Sequence, residues 1–299
     1  MTPAEIYKTA RPDRFARTIR TDSPEGCRIA LLGLPDDTGV ALNGGRVGAK
    51  DGPRAFREAL AGYGTTTYIA YGGKIVDLSK AGVFDAGDVE PIAGGTVVAM
   101  ERTHERVTAR VCELLEANLL PVCIGGGHDL TWPAARAVAQ KFPDLAGIYF
   151  DAHLDVREEP GSGMAFRKIL AETNCQSLTA CFLDPVANNR EHVDWFLANR
   201  GTIHDVGLLK RPSIPFFCSF DLDCMSAAFA PGVSAANPAG IEAPVFARHQ
   251  IYDLGRALQV RYFDIMELNP KYDIDGRTAR LAAHLFLSFL AGYSSRTTR

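Results

Sequence analysis

Three short runs in this sequence place acidic and imidazole side chains directly after apolar segments. Gly125-Gly126-Gly127-His128-Asp129 follows Leu120 to Ile124, Asp151-Ala152-His153-Leu154-Asp155 follows Ala146 to Phe150, and Asp221-Leu222-Asp223 follows Pro215 to Phe220. In an extended segment alternate residues project to one side, so Asp151, His153 and Asp155 can face one point. Asp221 and Asp223 repeat the arrangement. With His128 added, the set has two imidazoles and four carboxylates. Like charges held close cannot all ionise without compensation. Two divalent cations compensate them, because these ligands exceed what one ion needs. Mixed His and carboxylate donors without cysteine favour Mn²⁺ over structural Zn²⁺. The chemistry such a pair supplies is an acidified water for hydrolysis.

Those residues need elements to bring them together. Short runs rich in β-branched and aromatic residues read as strands over Arg28 to Leu34, Lys74 to Leu78, Leu120 to Ile124, Ala146 to Phe150, Leu178 to Phe182, Pro215 to Phe220 and Arg261 to Leu268. Helical spacing or start signals mark Pro53 to Leu60, Gly95 to Asn118, Thr131 to Gln140, Phe166 to Glu172, Asn189 to Asn199, Phe246 to Gln259 and Thr278 to Leu290. Alternation of this kind predicts a mainly parallel α/β sheet covered on both faces. In such a sheet ligands bind beyond the carboxyl ends of the strands, so the three motifs should meet at one edge. Two stretches, Thr38 to Gly52 and Asp221 to Gly240, read as long loops beside strand ends and therefore as functional. No linker or internal repeat divides the chain, and one domain over 1–299 is expected.

Composition excludes several alternatives. A net charge of -3 leaves no basic footprint for nucleic acid or an anionic membrane. No apolar run approaches a membrane span; His284 and Ser288 interrupt Ala282 to Leu290. The first twenty residues lack the apolar core of a secretory signal, and Glu5 and Asp13 weigh against a transit peptide. The seven cysteines are odd in number and irregular in spacing, as reduced core thiols of a cytoplasmic protein would be.

On the three motifs the chain resembles the ureohydrolase family of arginases, agmatinases, guanidino-acid hydrolases and formimidoylglutamases. The resemblance runs from Leu32 to the last helix. It implies a three-layer α/β/α fold, a parallel sheet of about eight strands, two Mn²⁺ per chain and a trimer or hexamer. It also implies that His128 and Asp155 hold one ion, His153 and Asp223 the other, and Asp151 and Asp221 both. Asp264-Ile265-Met266-Glu267-Leu268-Asn269-Pro270 is similar to the family segment whose glutamate grips the substrate's cationic group, which places that role on Glu267.

Other stretches are similar to formimidoylglutamases: Gly39-Val40, Asn43 to Ala49 with Gly52-Pro53, Pro231 to Ala235, and Ser162-Gly163 with Phe166-Arg167. Asn43, Arg46, Ser162 and Arg157 are the substrate contacts implied. Arg157 stands where arginases carry a neutral amide, and a guanidinium there can take a carboxylate bidentately. The reaction implied is hydrolysis of N-formimino-L-glutamate to glutamate and formamide, with Glu267 orienting the amidine and Asp155 relaying the proton. Two positions depart from the wider family: Ser162 replaces a proton-shuttling histidine, and Ser226-Ala227 replaces Asp-Pro. The alternatives are a guanidino-acid, arginine or agmatine hydrolase, a zinc deacylase, and a non-catalytic binding or oligomer partner.

Overall fold

The apolar runs that carry the acidic motifs lie side by side at the centre of one sheet. The computed structural model describes residues 1–204 and 209–296. Its strands are β1 (Ile29–Leu34), β2 (Thr67–Ile69), β3 (Ile75–Asp77), β4 (Val83–Asp88), β5 (Leu120–Gly125), β6 (Leu145–Phe150), β7 (Cys175–Cys181), β8 (Gly201–His204), β9 (Phe216–Asp221) and β10 (Val260–Met266). Eight of them form a sheet in the order β4-β1-β5-β10-β9-β6-β7-β8. Every neighbouring pair in it is parallel. The central strands β1, β5, β6 and β9 are buried along their whole length, which is why they read as continuous apolar runs.

Alternation along each strand divides the core in two. Ile29, Leu31, Ile148, Phe216, Phe220 and Phe263 face one way. Against them pack α3 (Gly52–Gly62), α8 (Pro244–Arg256) and α9 (Arg277–Ser294), joined by the short α1 (Pro3–Lys8). Ala30, Leu32, Tyr149, Phe217 and Tyr262 face the other way. They meet α4 (Val97–Glu116), α5 (Thr131–Lys141), α6 (Ala165–Glu172) and α7 (Arg190–Ala198). This is the expected three-layer α/β/α architecture.

Two expectations need correction, and the sheet has two edge strands that the pattern does not predict. The run Lys74 to Leu78 supplies β3, but β3 pairs antiparallel with β2 in a separate hairpin and takes no part in the main sheet. The edge places go instead to β4 and β8. β4 mixes Asp85, Gly87 and Asp88 with apolar residues, and β8 is four residues long, so neither shows a strand's usual pattern. Thr38 to Gly52 is not one loop, since it opens with the helix α2 (Thr38–Leu42) and closes on a 3₁₀ turn, Ala49–Asp51. Among the described residues, no helix is long and apolar enough to cross a membrane. All seven cysteines are unpaired and five are buried.

One buried group ties the fold's stability to pH. His284 lies on α9, with Nδ1 2.7 Å from the Tyr63 hydroxyl. Burial, helped by the charge of Arg248, pushes it down to about 4. A histidine held below its ordinary 6.5 stabilises the fold fully above that value and loses the contribution as pH falls towards 4. The His284→Gln variant should therefore unfold less steeply with acid between these limits, the difference reaching at most about 3 kcal/mol. Chemical unfolding of both proteins across that window measures it. Parallel curves would remove His284 as the cause.

Candidate metal centre

β5 ends in a glycine run that lets the backbone pass under the loop following β1. A Cβ on Gly126 would fall 1.8 Å from the Asp36 carbonyl oxygen, so only glycine fits. Gly126 N donates to the Leu34 carbonyl and its own carbonyl accepts from Glu267 N, each at 2.9 Å. The turn that follows points His128 inward, 1% exposed. Its Nδ1 lies 3.0 Å from Asp151 Oδ2, 3.0 Å from Asp221 Oδ2 and 3.1 Å from Asp155 Oδ2.

The other ring nitrogen is held from behind. His128 Nε2 is 2.9 Å from Ser219 Oγ, which lies 3.3 Å from Thr131 Oγ1. Thr131 and the Tyr262 hydroxyl both donate to Asp264 Oδ2 at 2.8 Å. With Nδ1 turned to the carboxylates, Nε2 carries the proton and donates to Ser219. Such outer hydrogen bonds fix a ligand's tautomer and ring orientation. The signal available in sequence was a polar residue within an otherwise apolar strand, at Ser219 and Asp264. The register sets these two directly opposite one another.

Asp151 stands between two groups of donors. Its Oδ2 faces His128, and its Oδ1 accepts from His153 N at 2.7 Å and lies 3.4 Å from His153 Nδ1. Asp223 Oδ2 is 3.1 Å from the same imidazole nitrogen, and Asp223 N donates to Asp221 Oδ1 at 2.7 Å. Two sets can hold a metal ion, His128 with Asp151 and Asp221, and Asp151 with His153 and Asp223. Asp155 joins the first set through its approach to His128, on a left-handed backbone with φ 48°.

The electrostatics fit bound cations. Burial, reinforced by Asp155 and Asp223, raises Asp151 to about 6, and burial raises Asp221 as well. Burial would lower His153, but its carboxylate neighbours outweigh that and take it up to about 12. His128 Nδ1 and Asp151 Oδ2 are buried without a properly formed hydrogen bond. Buried acceptors converging on imidazole nitrogens with too few protons to satisfy them are the arrangement of an ion site.

A cavity of about 200 Å³ opens over this cluster. Asn43, Arg157, Ser162 and Glu267 line it, together with Val40 and Ser234 from the stretches that resemble formimidoylglutamases. Arg46 does not line it. Its guanidinium donates to the carbonyls of Val233 at 2.5 Å and Ser234 at 3.1 Å and stacks over Tyr272. Its work is to fasten the loop that carries Ser234. Asn43 Oδ1 accepts from Gly163 N at 2.9 Å and from the Ser162 hydroxyl at 3.2 Å, so these two contacts also brace one another. Glu267 is 2% exposed on a left-handed backbone with φ 65°. Its Oε1 accepts from His128 N at 2.9 Å, whereas Oε2 has no partner among the described residues. Burial raises it to about 8. Ser226, in the place of the wider family's aspartate, accepts from Ala228 N at 3.4 Å and serves a local turn.

A wholly parallel α/β/α sheet with two histidines and four aspartates gathered at its carboxyl edge defines the class of α/β proteins built to hold paired cations there. Within that class, the chain belongs to the arginase family, whose family model matches residues 27–292. It is 33% identical to a formimidoylglutamase of Aromatoleum aromaticum, covering 94% of this chain and 88% of that protein. A formimidoylglutamase of Streptococcus gordonii is 30% identical, covering 87% and 82%. The crystal structure of Trypanosoma cruzi formiminoglutamase with Mn²⁺ superposes with a TM-score of 0.82 at 29% identity, covering 93% and 97%.

Proposed function

We propose that this protein hydrolyses N-formimino-L-glutamate to L-glutamate and formamide with two Mn²⁺ ions, as a single catalytic domain. The observation that carries the substrate is Arg157, the only lysine or arginine among the described residues that lines the cavity above the cluster. Its stem rests on Gly163, where a Cβ would come 2.9 Å from Arg157 Cδ. A cation over a floor of carboxylates suits a molecule with an amidinium at one end and carboxylates at the other. An amine-ended substrate such as agmatine would be repelled. The relatives' names and the manganese of the Trypanosoma cruzi structure support the same reading.

His128, Asp151, Asp155 and Asp221 would hold one ion, and Asp151, His153, Asp221 and Asp223 the other. When bound, the pair supplies a water acidic enough to act as nucleophile near neutral pH. Glu267 Oε2, which has no hydrogen-bond partner among the described residues, accepts from the amidinium N–H groups and aligns the carbon for attack. A cation bound there also restores charge to a carboxyl that burial keeps high. Arg157 grips a carboxylate of the glutamate end, and Asn43 and Ser162 shape the wall between. Asp155 passes the proton to the leaving nitrogen. Unpaired cysteines support a cytoplasmic location. The exposed Ile69, Tyr71 and Ile75 at the β2–β3 hairpin support assembly into a trimer or hexamer, which light scattering would measure.

The test is Arg157→Ala. Removing one charge-assisted partner costs roughly 1.5–3 kcal/mol, so kcat/KM for formiminoglutamate should fall about 10- to 100-fold. Manganese content should stay unchanged. Arg157→Lys should recover little, because a point charge cannot reproduce the planar fork. Unchanged kinetics in Arg157→Ala would reduce this residue to a solvated loop cation. Parallel assays with arginine, agmatine and guanidinobutyrate separate the rival substrates.

A further inference from the structure

The opposite edge of the sheet, where β1, β5 and β10 begin, holds a second polar cavity of about 350 Å³. Arg28, Lys141, Arg261 and Arg296 line it, with the rings of Phe142 and Tyr293, and no acidic residue does among the described residues. Part of this charge is already employed on helix ends. Arg296 donates to the carbonyls of Gly255 and Ala257, Arg261 to that of Leu258, and Lys141 to that of Leu115. The rest is unanswered. Arg28 makes no side-chain hydrogen bond, and none of the four has an ion pair, among the described residues.

The two inner guanidiniums are fixed in place. Arg261 lies over the Phe142 ring at 5.2 Å and Arg296 over Tyr293 at 4.0 Å. Burial, with the repulsion of Arg261 added, takes Arg296 down to about 10, and burial lowers Arg261 too. Half-buried cations with no counter-charge are costly alone and favourable towards an anion that arrives.

We propose that this cavity binds a phosphorylated small molecule, its phosphate on Arg28, Arg261 and Arg296 and its body against Phe142 and Tyr293. A doubly charged oxyanion with several acceptor oxygens suits a cavity lined by three guanidiniums better than a single carboxylate does. The volume exceeds a bare phosphate, and the two rings offer an apolar wall to whatever the phosphate is attached to.

Isothermal titration of the manganese-loaded protein at fixed ionic strength tests this with inorganic phosphate, phenyl phosphate and benzoate as probes. Phenyl phosphate should bind saturably at one site, several-fold tighter than inorganic phosphate, with benzoate about tenfold weaker. Arg28→Gln should weaken phenyl phosphate about tenfold while leaving the melting temperature of the free protein unchanged, since Arg28 touches no partner. Adding Arg261→Gln should abolish binding. Absence of saturable binding would overturn the proposal. So would benzoate binding as tightly as phenyl phosphate, or binding that both variants leave intact, which would put the anion at the metal centre instead.

Discussion

Replacing Asp151 by asparagine is expected to empty the metal centre and abolish hydrolysis. Asp151 belongs to both donor sets, with Oδ1 towards His153 and Oδ2 towards His128. It is fully buried, so solvent cannot substitute for it. An amide there loses the charge and turns donor hydrogens towards a position that needs acceptors. Manganese retained after dialysis should fall from about two ions per chain to below one, and kcat/KM by about a thousandfold or more. Stability should move in opposite directions in the two states. Without metal, Asp151→Asn relieves repulsion among four aspartates and should melt higher than the wild type; with metal it should melt lower, because ion binding no longer adds to stability. Elemental analysis, kinetics and paired melting curves measure all three. A variant that kept two ions and its activity would end the bridging assignment.

Replacing Arg57 by alanine is expected to cost about 3–5 kcal/mol, the figure for breaking a buried pair from one side. Arg57 is 2% exposed and grips Asp85 with two nitrogens, Nε to Oδ2 at 2.8 Å and Nη2 to Oδ1 at 2.9 Å. Its Nη1 donates to Asp88 at 2.6 Å, and the Tyr7 hydroxyl donates to Asp85 Oδ2 at 2.6 Å. One guanidinium thus joins α3 to the edge strand β4, and through Asp85 to α1. The alanine variant leaves the Asp85 charge buried with only the Tyr7 hydroxyl and Gly87 N to answer it. Arg57→Met with Asp85→Leu should lose less than Arg57→Ala alone, because no charge is then stranded. Urea unfolding monitored by circular dichroism gives both values. A single-variant loss below about 1 kcal/mol would show that water reaches Asp85.

That network also marks where sequence reading stops. The central strands are buried on both faces and therefore announce themselves as apolar runs, and the ligands stand out because each motif begins where such a run ends. β4 has no comparable signature. Its Asp85 and Asp88 are there for Arg57, a partner 28 and 31 positions away, and a pattern of local hydrophobicity cannot show a contact at that distance. Arg46 illustrates the same limit from the other side. Its place in a stretch similar to formimidoylglutamases implied a substrate contact, yet the carbonyls of Val233 and Ser234, nearly two hundred residues on, take its donors. Ser219 and Asp264 interrupt apolar strands with polar residues, and only the register shows them side by side behind His128, where the Thr131 side chain reaches both.

The strand order carries a consequence for how the protein is made. β10 is the last strand in the chain but sits between β5 and β9, two of the three strands whose ends bear the metal ligands. A growing chain that has emerged only as far as β9 holds every histidine and aspartate of the cluster, yet a strand-wide gap separates His128 from Asp221. Parallel neighbours so distant in sequence pair late, after the entropy of closing the long connection has been overcome. The set of His128, Asp151 and Asp221 therefore cannot close during synthesis, whereas Asp151, His153 and Asp223 lie just beyond β6 and β9, which pair without β10. The first set must wait for release of the carboxyl-terminal segment, and Glu267, directly after the strand that closes the gap, arrives in the same event.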